Sequence, residues 1–86
     1  MSSIKNLKKD INYVLGDVIE YAIDVAALKN EHTKGDEIIN EAIGTFDALI
    51  ADVNAKKVEN KKAHFRAINA DLETKAKGLV EKINGL

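Results

Sequence analysis

The apolar residues of the segment 38–53 recur every three or four positions, and this spacing constrains the fold more than any other feature of the chain. The series is Ile38, Ile39, Ala42, Ile43, Phe46, Leu49, Ile50 and Val53. Positions three and four apart share one face of an α-helix, so these side chains form an apolar arc about 140° wide. The pattern predicts an amphipathic helix whose apolar side is used up by packing in a hydrophobic core.

Similar apolar stripes on either side of this segment predict two further helices. The first is expected over residues 4–28, with Ser2 or Ser3 as its N-cap. The last is expected over residues 59–84, with Asn60 or Asn54 as its cap and a heptad seam along one side. The first stripe comprises Ile4, Leu7, Ile11, Val14, Leu15, Val18, Ala22 and Val25, and the last comprises Val58, Phe65, Ile68, Leu72, Ala76, Leu79, Ile83 and Leu86.

Two polar segments separate the three predicted helices. Residues 29–35 combine polar side chains with a glycine, and Thr33 or Asp36 is expected to cap a second helix over residues 36–54. Residues 54–57 interrupt the stripe before the third helix. Short connections favour antiparallel neighbours. The sequence therefore predicts a single all-α domain over residues 1–86, an antiparallel up-down-up three-helix bundle.

Composition restricts the classes of function that this chain can have. Its 86 residues include no cysteine, so stability must come from packing or oligomerisation, and a reducing, cytoplasmic setting is expected. No uncharged run exceeds six residues, so we expect neither a signal peptide nor a membrane span. A net charge of −1 with 31% charged residues is typical of an ordinary soluble surface rather than of a basic nucleic-acid-binding chain.

Side chains for catalysis or metal binding are sparse. His32 and His64 lie far apart in a chain without cysteine, and we interpret them as structural or surface residues. Ser2 and Ser3 lie at the start of the sequence, where a helix end is expected to fray, so acyl transfer has no candidate nucleophile. The glycines are scattered and form no phosphate-binding loop. We therefore expect no enzymatic activity, no cofactor, no metal and no small-molecule substrate.

The second half of the first helix carries more apolar surface than one packed face requires. Its apolar arc is about 200° wide. Ile19 and Ile23 fall on one flank, and Tyr21 and Leu28 fall on the other. A central helix that contacts both neighbours would explain this width, and so would a homodimer seam or a groove for a protein partner. Our leading hypothesis is a non-enzymatic domain that acts by protein-protein contact, with self-association through Ile19, Ile23 and Ala26.

The predicted topology also collects positive charge at one end of the bundle. It brings residues 1–11 close to residues 52–66, which together carry eight basic and three acidic side chains and leave a net charge of −6 elsewhere. The basic residues are Lys5, Lys8, Lys9, Lys56, Lys57, Lys61, Lys62 and Arg66. An alternative function is therefore anion or nucleic-acid binding at this end. A simply solvated end is the competing interpretation, and the scarcity of stacking aromatic residues there disfavours nucleic acid.

Two stretches of the chain suggest a resemblance. They are NAKKVENKKAHF, residues 54–65, which precedes the heptad helix, and IKNLKKDI, residues 4–11. Together they resemble small all-helical bacterial proteins of uncharacterised function, over the full length of the chain. The resemblance implies an all-helical fold and a cytoplasmic compartment, and it assigns no role to any residue.

Overall fold

The computed structural model describes residues 4–55 and 59–86, and these form three helices. They are α1 (Ile4–Lys29), α2 (His32–Val53) and α3 (Lys61–Asn84), and each helix packs against the other two. The predicted all-α three-helix bundle is therefore confirmed, as a rod of 47 × 19 × 18 Å. Several residues of the predictions lie outside the described part of the chain: Ser2, Ser3, Lys56, Lys57, Val58 and the side chain of Ile4.

Contacts near the helix ends define the direction of each helix. The Tyr21 hydroxyl donates to Asn84 Oδ1 over 2.5 Å, so the later parts of α1 and α3 lie side by side. His64, in the first turn of α3, lies with its Nε2 2.6 Å from the carbonyl oxygen of Asp52, in the last turn of α2. Hence α3 runs antiparallel to α2 and parallel to α1, which is the predicted up-down-up order.

The connection between α1 and α2 is shorter than the sequence predicts. The Glu31 amide donates to the Ala26 carbonyl over 2.9 Å, and the Asn30 amide donates to the Ala27 carbonyl over 3.4 Å. Asn30 has a φ of 57°, in the left-handed region that asparagine tolerates better than most residues. This is a Schellman motif, which ends α1 and reverses the chain within two residues. As a result α2 begins at His32, four positions before its predicted start.

The helix caps confirm one prediction and correct another. Asn60, one of the two predicted candidates, is the N-cap of α3, and its side chain accepts a hydrogen bond from the Ala63 amide over 3.1 Å. The other candidate, Asn54, is instead the C-cap of α2. The expectation of Thr33 or Asp36 as the cap of α2 is wrong, because both lie inside that helix. The N-cap position is Glu31, whose side chain accepts no capping bond.

The hydrophobic core runs the length of the rod between the three helices. Its buried residues are Leu7, Ile11, Leu15, Val18, Ala22, Ala26, Ile38, Ala42, Leu49, Val53, Ile68, Leu72, Ala76, Leu79 and Ile83. Other members of the predicted stripes are only partly buried: Val14, Val25, Ile39, Phe46, Ile50, Phe65 and Leu86. The stripe of α2 is not fully used by the core, because Ile43 remains 46% exposed.

Gly35 lies at a close contact between α1 and α2. It is buried inside α2, although the sequence suggested a residue of the polar connection. A Cβ atom built at Gly35 would lie 2.5 Å from the Cβ of Ala26, a distance that real Cβ contacts do not reach. The missing side chain therefore lets the two helices approach, and the pair also shows that Ala26 faces α2.

Candidate interaction surface

Two surfaces of different chemistry flank α1, one beside α2 and one beside α3. Ala26 lies against Gly35 and so marks the side facing α2, whereas Tyr21 bonds to α3 and marks the opposite side. Ile19 and Ile23 precede Ala26 by seven and three positions. At this spacing they lie on the same side of the helix as Ala26. The flank of α1 that carries both isoleucines therefore adjoins α2.

The matching edge of α2 carries further isoleucines. Glu41 accepts hydrogen bonds from Lys82 at 2.7 and 2.8 Å, and this contact marks the side of α2 that faces α3. By helical spacing Ile39, Ile43 and Ile50 lie about half a turn of the helix away from Glu41. They therefore occupy the edge of α2 that adjoins α1.

We call the surface formed by these two edges the α1–α2 face; it comprises Ile19, Ile23, Ile39, Ile43 and Ile50. Ile23 is 52% exposed and Ile43 is 46% exposed, while the other three are half-buried and pack against the core. The contact between positions 26 and 35 sets the antiparallel register of the helices. In that register Ile19 lies nearly level with Ile43, and Ile23 nearly level with Ile39, so the isoleucines form one aliphatic strip across both helices.

The residues predicted for self-association occupy three different environments. Ile23 is exposed and Ile19 is half-buried, but Ala26 is only 4% exposed because it packs against Gly35. Ala26 thus contributes to the helix contact and not to the surface. The two predicted residues that do reach the surface lie on the same face.

Sequence reasoning missed the contribution of α2, because it assigned every apolar residue of 38–53 to the core. The signal for this contribution is a doubling of apolar positions at 38–39, 42–43 and 49–50. In each pair the first residue is buried in the core. The second is Ile39, Ile43 or Ile50, and it lies on the edge beside α1.

The surface between α1 and α3 also exposes large side chains, but they are interspersed with polar groups. Tyr13 is 59% exposed, and Lys9 Nζ lies 5.6 Å from the centre of its ring. Leu28 is 86% exposed near the end of α1. An open groove of about 240 Å³ is lined by Asp10, Tyr13, Val14, Asn69, Leu72 and Glu73. Two carboxylates border this groove, so the surface offers no continuous apolar strip.

The structure brings six of the predicted basic residues to one end of the rod, where α1 and α3 begin. They are Lys5, Lys8, Lys9, Lys61, Lys62 and Arg66. Lys8 is half-buried and the other five are exposed. With Asp10, Asp52 and Glu59, these residues form what we call the basic end, with a net charge of +3. The remaining described residues carry five basic and eleven acidic side chains, a net charge of −6.

The histidines lie in structural and surface positions. A carbonyl oxygen can only accept, so the contact of His64 with the Asp52 carbonyl requires a proton on Nε2 and ties α3 to the end of α2. His32 is exposed in the first turn of α2. Within residues 4–55 and 59–86, no three His, Cys, Asp or Glu side chains converge in a way that could hold a metal ion. Nor does the described chain contain a helix of the length and apolarity needed to cross a membrane.

No protein-family model, curated protein or solved structure matches this chain. The assignment of the α1–α2 face therefore rests on its own geometry and chemistry.

Proposed function

We propose that this protein is a non-enzymatic interaction domain that associates with itself through the α1–α2 face. The observation that carries the proposal is the exposure of Ile23 and Ile43, 52% and 46%, on adjoining edges of two packed helices. Removal of apolar surface from water is favourable in proportion to its area. Single exposed apolar residues are common on any protein, whereas a strip of five isoleucines indicates a contact surface.

The size of the rod is consistent with such an interface. Its long side measures 47 by 19 Å, which projects to an area of about 890 Å². A standard interface buries roughly 800 Å² on each partner. A chain of 86 residues also buries a smaller fraction of its surface on folding than a larger domain does. Covering the α1–α2 face would therefore add apolar burial that the small core cannot provide.

The other exposed apolar residues are less suited to this role. The ring of Tyr13 makes a cation–π contact with Lys9, and the Tyr21 hydroxyl donates a hydrogen bond to Asn84. Leu28 lies near the end of α1, away from the isoleucine strip. These contacts favour the α1–α2 face over the α1–α3 surface. Anion binding at the basic end remains an alternative prediction.

Sedimentation equilibrium of a variant with Ile23→Glu and Ile43→Glu tests the proposal. Both side chains are about half exposed, so the substitutions leave the buried core intact. Burying two unpaired carboxylates in an apolar interface is costly, and we expect the dissociation constant for self-association to rise at least roughly tenfold. Ile19 is left unchanged because it packs against the core.

Leu28→Glu is the matched control, because it makes the same kind of change at a residue that is 86% exposed and lies outside the face. Its dissociation constant should equal that of the wild type. Circular dichroism should show equal helical content in all three proteins. A wild-type chain that stays monomeric up to millimolar concentration contradicts the proposal, as does an equal effect of the face and control substitutions.

A further inference from the structure

We infer that the occupant of the α1–α2 face is a second copy that lies antiparallel to the first, with the basic end of each copy beside the acidic part of its partner. This inference rests on the proposed self-association and adds the orientation of the two copies. Three features of the described residues lead to it: the charge along the rod, the charge along the face, and the central position of the isoleucines.

The charge along the rod distinguishes two orientations. The basic end carries +3 and the remaining described residues carry −6. A parallel pair would place like charges side by side along its whole length, whereas an antiparallel pair brings opposite charges together. At physiological ionic strength charges interact mainly within about 8 Å, so groups at the interface and its rim dominate this difference. Juxtaposed like charges there disfavour the parallel arrangement.

The α1–α2 face has the same polarity as the whole rod. Lys8 precedes Ile19 by eleven positions, which is close to three helical turns, so it lies on the same side of α1. Lys5 precedes Ile23 by eighteen positions, or five turns. At the opposite end of the rod Asp36 precedes Ile43 by seven positions and so shares the edge of α2 that adjoins α1. The face therefore carries two lysines toward one end and Asp36 toward the other, with Asp47, four positions after Ile43, near its middle.

The isoleucine strip lies near the middle of the rod, and this allows an antiparallel pair to close. The midpoint of α1 falls between Gly16 and Asp17. In the register set by Ala26 and Gly35, Lys8 and Asp36 lie about equally far from that midpoint on opposite sides. A two-fold axis through the midpoint then brings the isoleucine strips of both copies into partial overlap. The same operation carries the lysines of each copy towards the aspartate of the other, as a self-complementary interface requires.

Pulsed electron spin resonance on single-cysteine variants tests the orientation, because the native chain has no cysteine to compete for the label. Asn54→Cys and Thr33→Cys place spin labels at exposed positions toward opposite ends of α2 and away from its α3 side. Twenty-one residues separate them, about 32 Å of helix. In an antiparallel pair each variant alone should give a label distance of about 30 Å or more. A mixture of the two variants should add a population below about 20 Å, since Asn54 then lies near Thr33 of the other copy.

The outcomes of this experiment test the antiparallel orientation separately from self-association. A distance below about 20 Å for the Asn54→Cys variant alone, in a sample whose mass is that of a dimer, overturns the antiparallel inference and leaves self-association in place. A monomeric mass at every concentration overturns both. Distances of about 30 Å or more for each single variant, with the short distance only in the mixture, support the inference.

Charge reversal provides a second test with a different readout. Lys5→Glu with Lys8→Glu should raise the dissociation constant about threefold or more at low salt, and the difference should shrink as salt is added. An acidic residue in the first turn of a helix favours its macrodipole, so Lys5→Glu does not weaken α1, and circular dichroism of the double variant checks the fold at the half-buried Lys8. A control with Lys77→Glu and Lys75→Glu changes the net charge by the same amount on α3, outside the face. Equal effects of the two double variants overturn the inference.

Discussion

At the scale of single residues, the contact between Gly35 and Ala26 sets the spacing and register of α1 and α2. An added Cβ at Gly35 would come within 2.5 Å of the Ala26 Cβ, and neither atom belongs to a flexible side chain that could turn away. The register fixed here also decides which isoleucines of the two helices lie level with one another. The α1–α2 face therefore depends on a glycine that is not part of it.

Gly35→Ala should destabilise the fold, since overpacking at this contact outweighs the gain in helix propensity. Overpacking costs about 1–3 kcal/mol, and replacing glycine by alanine in a helix interior returns up to about 1 kcal/mol. We expect a net loss of about 1–2 kcal/mol in the free energy of unfolding, measured by urea denaturation.

Two controls separate the contact from backbone effects. Gly44→Ala, at an exposed site of α2 with no atom within 4 Å of the new Cβ, should raise stability by about 0.5–1 kcal/mol. Combining Gly35→Ala with Ala26→Gly moves the methyl group from one helix to the other and should restore stability to near that of the wild type. A destabilised double variant, or a stabilising Gly35→Ala, would contradict the proposed close contact.

The sequence could not reveal the role of Gly35. Glycine within a polar stretch is typical of a loop, and His32, Thr33 and Lys34 before it have the polarity of one. Those three side chains are exposed in the first turn of α2, and their polarity indicates solvent contact rather than a break. Only the packed register shows which residue must lack a side chain.

At the scale of secondary structure elements, the three helices begin and end by different means. The Schellman turn at Asn30 ends α1 through backbone hydrogen bonds, and α2 follows without a side-chain cap. The start of α3 is instead capped by the side chain of Asn60. The sequence predicts the Asn60 cap, because asparagine before a helical stripe is a recognisable cap. It does not predict the Schellman turn, because an asparagine in the left-handed conformation cannot be told from any other asparagine by sequence alone.

Asn60→Ala should cost about 1 kcal/mol in the free energy of unfolding, because the Ala63 amide loses its hydrogen-bond acceptor. Chemical denaturation measures the loss. Glu31→Ala, at the N-cap position of α2 where the native side chain makes no capping bond, is the control and should stay within about 0.5 kcal/mol of the wild type. Equal losses in the two variants would show that the Asn60 cap does not stabilise α3.

At the scale of the whole molecule, the sequence was sufficient to predict the fold, but it predicted only part of the α1–α2 face. The apolar spacing of each helix and the short polar connections were sufficient to predict an up-down-up bundle. Ile19 and Ile23 were assigned correctly to one flank of α1, but the sequence did not show that this flank adjoins α2. Ile43 was assigned to the core because helical periodicity gives the width of an apolar arc and not the direction from which its neighbours approach.

Amide chemical shifts of ¹⁵N-labelled protein across a dilution series test the central claim, that the α1–α2 face is the self-association surface. We predict concentration-dependent shifts for residues 16–23 of α1 and 39–50 of α2, with little change along the outer side of α3. Their amplitude should fall in the variant with Ile23→Glu and Ile43→Glu and persist in Leu28→Glu. Shifts that instead cluster around Tyr13, Leu28 and Glu73, or spectra that do not change up to millimolar concentration, would contradict it.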